Sequence, residues 1–143
     1  MTEVDFYAYA DDRARVACVL AAKALEQGLR VLIHTADAAA TEHMDRLLWT
    51  YQPLSFVPHC RGGHSLAAVT PVLVDHAPQD IDRDGALINL RDETPPFFSR
   101  FHRLVEIVGL EEEERRAARE RYRFYRDRGY VIRSHDLSGK GGK

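Results

Sequence analysis

The pattern that most constrains this chain is a strand–helix unit written twice at its start. Residues 3–9, EVDFYAY, alternate and are rich in aromatic side chains, as a half-buried strand is. The next stretch, DDRARVACVLAAKALEQG, supplies Asp11 or Asp12 as an N-cap, a run of helix formers, and Gly28 as a stop. LRVLIHT (29–35) is a short, nearly continuous apolar run of the kind buried on both faces of a parallel sheet. DAAATEHMDRLLWTY then resumes helical spacing through Met44, Leu47, Leu48 and Tyr51. Two βα units in succession predict a right-handed, three-layer α/β fold, a mostly parallel sheet flanked by helices.

The rest of the chain extends that plan. Residues 52–70 carry two prolines and a Gly-Gly pair, so they are expected to form an irregular connection with a short extended piece at 55–58. PVLVD (71–75) and GALINL (85–90) read as a strand pair continuing the sheet, PPFFSRF as a proline-initiated helical turn, and HRLVEIVG as another strand. A charged helix follows over 111–128, closed by Gly129. At 143 residues there is room for one domain, over 1–137, with a core that needs no disulfide or metal. The last residues, SGKGGK (138–143), read as a flexible tail. Two cysteines, no leader-like segment and no apolar run near the roughly 18 residues of a membrane span point to a cytoplasmic protein.

An α/β chain invites nucleotide binding, but the turn after the first strand is YADDRARV. It has no glycine to admit a phosphate, and Asp11 and Asp12 would repel one. The fold is therefore expected to be Rossmann-like without a phosphate-binding glycine loop. HCRGGH brings His59, Cys60 and His64 close in sequence, yet three donors at that spacing do not complete a zinc tetrahedron, so no metal and no cofactor are expected. Adjacency of His59 to Cys60, or of His64 to Ser65, does not give the geometry of a base and its nucleophile. The glutamates at 111–114 are an acidic first helical turn rather than paired catalytic carboxylates. No enzymatic activity is expected.

Two stretches remain. LLWTYQPLSFVPH (47–59) gathers Trp49, Tyr51, Leu54, Phe56 and Val57 around a helix end, as either core packing or an aromatic anchor for another protein. ARERYRFYRDRGY (118–130) places Arg119, Tyr122, Arg123 and Arg126 at i, i+3, i+4 and i+7 on one helix face, with Tyr125 near its edge. The helix dipole accounts for arginine in the last turn but not for tyrosines interleaved higher up. Such a stripe suits stacked bases with phosphates, or a peptide bearing carboxylates and an aromatic residue. With 20 Lys+Arg against 22 Asp+Glu, a net charge of −2, the peptide is preferred and direct single-stranded nucleic-acid binding is the alternative.

Together, LLW…SFVPH, the order PVLV, ALINL, FHRLVEIV and the terminal ARERYRFYRDRGY resemble the chi subunit of bacterial DNA polymerase III, a clamp-loader accessory protein, across about residues 3–133. The resemblance implies a non-catalytic adaptor in DNA replication. It would link the clamp loader, through a partner called psi, to the acidic C-terminal tail of single-stranded DNA-binding protein. By motif, the tail-binding residues would be Val108, Arg119, Tyr122 and Arg123, with Arg126 beside them, and the psi-facing residues Trp49 and Phe56.

Overall fold

The computed structural model describes residues 2–52, 57–78 and 85–138. Its centre is a seven-stranded sheet whose paired strands all run parallel. In chain order these are β1 (Glu3–Ala8), β2 (Val31–His34), β3 (His59–Arg61), β4 (Val72–Asp75), β5 (Ala86–Asn89), β6 (Arg103–Ile107) and β7 (Ile132–Asp136). Across the sheet the order is β3-β4-β2-β5-β6-β1-β7. The helix α1 (Arg13–Glu26) carries the chain from β1 to β2 over the space that β6 and β5 later fill. α2 (Ala38–Thr50) leads from β2 toward β3, and α3 (Glu112–Asp127) joins β6 to β7.

Strand alternation assigns the layers. Val31 and Ile33 face α1 and α2, meeting Cys18, Ala21, Met44 and Leu48, while Leu32 between them faces the other way. Val4, Phe6, Leu87 and Leu104 line that opposite face, under Ala118 and Tyr125 of α3 and Phe98 and Phe101 of a 3₁₀ turn. Of the two cap candidates for α1, Asp12 takes the role and accepts from the Arg15 N–H; α2 is capped by Asp37, which accepts from the Ala40 N–H. Gly28 and Gly129, just beyond α1 and α3, have φ of 81° and 84°, the left-handed conformation of a helix stop.

Three features differ from the sequence expectation. β4 and β5 do not pair with each other; both run parallel to β2, one on each side, because parallel neighbours cannot be joined by a short link. The short strand of the irregular connection lies at His59–Arg61, beyond the expected 55–58, of which 55 and 56 are outside the described residues. β7 was not expected at all. Its sequence, IRSHD, is mostly polar because it sits at the sheet edge.

The contact between α3 and the sheet is polar at its centre. Glu106 of β6 is wholly buried and accepts hydrogen bonds from Arg121 Nε at 3.0 Å, Tyr125 Oη at 2.6 Å and Asn89 Nδ2 at 3.1 Å. Arg121 also donates to the Asp92 carbonyl at 2.6 Å. Burial pushes the Glu106 carboxyl above its ordinary value, while the Arg121 charge and the three donors pull against that rise. Tyr125 is therefore not at the edge of the exposed stripe but inside the protein, its phenol pushed up by burial and by Glu106. Removing one partner of a buried pair strands the other. Arg121→Ala is expected to cost about 3–5 kcal/mol in denaturant unfolding. Arg123→Ala, on the exposed face, should stay within about 0.5 kcal/mol.

Candidate functional site

The polar anchor sets the roll of α3, and that roll turns one flank of the helix toward the carboxyl ends of β1 and β6. A pocket of about 260 Å³ lies there, several times the ~30 Å³ share of a water molecule. Its apolar side is Phe6, Val108, Ala118 and Tyr122, with the Phe6 and Tyr122 rings tilted at 59° and 5.5 Å apart. Its charged rim is Arg115 and Arg119. The Arg115 guanidinium stands 5.4 Å from the centre of the Tyr9 ring, and Tyr9 holds a left-handed φ of 62° at the end of β1. Arg119 pairs with Glu112 at 3.0 Å, both side chains mostly exposed. Such a pair is worth little, so the guanidinium is easily exchanged to another carboxylate.

Ser134 of β7 completes the pocket wall, so the docking of this edge strand matters to the site. It is held by Asp5, which is 1 % exposed and lies 3.0 Å from both Arg133 Nε and His135 Nε2 and 3.3 Å from Arg103. Burial alone would raise the Asp5 carboxyl, but the hydrogen bonds from Arg133, His135 and Arg103 outweigh it and hold it below its ordinary value.

Of the residues singled out in the sequence, Val108, Arg119 and Tyr122 meet in this pocket. Arg123 and Arg126 share the helix face but do not line it; Arg126 pairs with Asp127 at 3.2 Å. Phe6, Tyr9, Arg115 and Ser134 were missed. Arg115, one turn before Arg119, was within reach of the helical spacing. The other three are brought in by strand order.

Trp49 lies near the opposite edge of the sheet. It is 56 % exposed at the end of α2, its ring 4.8 Å from that of His59, and it lines a cleft of about 580 Å³ with Thr41, Asp45 and Arg61. Phe56 is outside the described residues. His59 Nδ1 and Nε2 lie 2.6 and 3.0 Å from the carbonyl oxygens of Val57 and Asp45, and His64 Nδ1 accepts from the Leu66 N–H. Among the described residues no three His, Cys, Asp or Glu side chains are placed to hold a metal. Burial pushes the Cys18 thiol up to about 12, which leaves it inert as a nucleophile at neutral pH. At the start of α1, where a Rossmann fold receives phosphate, the Asp12 carboxylate already occupies the Arg15 N–H.

The family model described as DNA polymerase III chi subunit, HolC, matches residues 1–133. The chain belongs to this chi-subunit family. A DNA polymerase III subunit chi from Pseudomonas aeruginosa is 41% identical over 141 residues, covering 96% of this chain and 98% of the relative. The subunits of the same name from Haemophilus influenzae and Escherichia coli are 31% identical over 123 residues and 32% over 119. These alignments cover 85% and 82% of this chain, and 85% and 81% of the relatives. Membership gives this chi-family chain an accessory role in replication, with its partners in the DNA polymerase III complex. No helix among the described residues is long and apolar enough to cross a membrane.

The depressed Asp5 carboxyl makes a pH prediction. Its folded value lies below its unfolded one, so its stabilisation is complete above the unfolded value and is lost as pH falls through the folded value. Amide exchange in β7 should therefore accelerate below about pH 4 relative to exchange in β5, and Asp5→Asn should abolish that difference in pH response.

Proposed function

We propose that this chi-family chain is a non-catalytic replisome adaptor, working in the cytoplasm as a single domain over residues 1–137. It links the clamp loader, through a psi subunit at Trp49 and Phe56, to the acidic C-terminal tail of single-stranded DNA-binding protein. The observation that carries this reading is the convergence of Val108, just beyond β6, with Arg119 and Tyr122 of α3 on one pocket. An apolar cavity with guanidinium groups at its rim is what a carboxylate-bearing peptide with a terminal ring requires.

In this reading the terminal aromatic side chain enters between Val108, Phe6 and Tyr122. The terminal carboxylate and neighbouring aspartates pair with Arg119 and Arg115. Two charge-assisted contacts at about 1.5–3 kcal/mol each and one buried ring at about 1.5–3 kcal/mol come to about 4.5–9 kcal/mol, whose upper end matches the roughly 8 kcal/mol of a micromolar complex.

The position of Trp49 supports a bridging role. Trp49 packs beside β3 and the pocket opens beside β7, the two outer strands of the sheet. Six strand spacings of about 4.8 Å separate those edges by roughly 29 Å. Two partners can therefore be held without collision.

Direct nucleic-acid binding is less well supported, because the outer face of α3 is laced with acid. Arg116 pairs with Glu113 and Glu120, Arg119 with Glu112, and Arg126 with Asp127. Calorimetry separates the readings. A synthetic acidic peptide ending in phenylalanine should bind at low salt and weaken as salt rises. Arg119→Ala and Tyr122→Ala should each lower its affinity by about tenfold or more, equivalent to about 1.4 kcal/mol, while Arg116→Ala leaves it unchanged. Absence of binding at low salt, or binding indifferent to Arg119→Ala, overturns the assignment; oligonucleotide binding through the same residues favours the alternative.

A further inference from the structure

Among the described residues β7 forms one edge of the sheet, and its backbone is only half used. It pairs with β1 from Val4↔Ile132 to Ala8↔Asp136, and the ladder is closed by Val4 N–H donating to the Val131 carbonyl and Leu137 N–H donating to that of Ala8. That parity turns residues 131, 133, 135 and 137 toward β1. The N–H and C=O groups of Ile132 and Ser134 therefore point outward, to the open edge. A row of outward donors and acceptors is a template for another strand.

The pocket opens onto this edge, because the side chain of Ser134 is part of its wall. Above it, α3 runs back antiparallel to the strands, as the short links from β6 and to β7 demand. Its pocket-facing flank carries Arg119 and Tyr122, and one turn beyond Tyr122 the same flank presents Arg126, outside the pocket. From Arg119 to Arg126 the helix rises about 10.5 Å, the length of about three strand residues. Both arginines hold only exposed acidic partners, Glu112 and Asp127.

We infer that the acidic partner segment does not end at the pocket mouth but continues as an added strand along β7. Its backbone pairs with Ile132 and Ser134, and its carboxylates lie beneath Arg119 and Arg126. This inference rests on the peptide-binding reading above and extends it from one cavity to a pocket and a rail. It accounts for Arg126, which shares a flank with the pocket residues without touching the pocket. The main-chain bonds would give affinity to any extended acidic segment, while the pocket selects the terminal ring.

Residue-resolved amide exchange tests it on the full chain, with two probes: a poly-aspartate peptide ending in phenylalanine, and the dipeptide aspartyl-phenylalanine. The long peptide should slow exchange at Ile132 and Ser134 by about tenfold and leave Arg133 and His135, already bonded to β1, unchanged. The dipeptide should perturb Tyr122 without protecting Ile132 or Ser134, and N-methylation of alternate backbone amides should weaken the long peptide only. If both probes perturb Tyr122 but neither protects the outward amides, the added strand is overturned and the pocket stands. If neither perturbs Tyr122, the pocket reading falls and this inference with it. Protection at Ile132 and Ser134 that arises without peptide and grows with protein concentration assigns the edge to a second copy of the chain, and also overturns the proposal.

Discussion

A single buried carboxylate, Glu106, governs the half of the molecule that carries the candidate site. It collects donors from β5, through Asn89, and from two successive turns of α3, through Arg121 and Tyr125. A purely apolar contact would let α3 slide or roll over the sheet, since hydrophobic contact is non-directional. Two hydrogen bonds from α3 to one acceptor, itself held by Asn89 of β5, define both the height and the rotation of the helix. Which side chains face the pocket, and which face water, follows from that rotation.

The stretch from 118 to 130 thus has two roles that composition alone blends into one. Arg121 and Tyr125, four residues apart, face inward and hold the helix; Arg119 and Tyr122, three apart, face the pocket. Helical spacing showed that arginines and tyrosines share faces, and it identified the exposed stripe. It did not show that a second Arg/Tyr pair would be buried, because nothing local marks Glu106 as its acceptor. In sequence Glu106 sits in the apolar run HRLVEIVG, which reads only as another strand and assigns its carboxylate no partner. The three-dimensional neighbour of that strand decides otherwise.

Much of the remaining architecture was legible for a physical reason: the βα units at the start have strong periodicity, good caps and glycine stops, all local signals. Strand order was not, because parallel strands adjacent in space are distant in the chain; β1 lies between β6 and β7. Tyr9 and Ser134 could not be linked to Val108 without that order. β3 was displaced because it has only three residues, and β7 was missed because it is mostly polar; both lack the apolar run that announces β2 and β5.

The cap on α1 has one more implication. The mouth of the first βα turn is the place where related architectures take up a nucleotide, and here the protein's own Asp12 fills it. One of the N–H groups of that helix terminus, that of Arg15, is taken by a neighbouring carboxylate. The mouth of that turn thus presents two exposed carboxylates, Asp11 and Asp12, to the solvent, a local charge of the same sign as a phosphate.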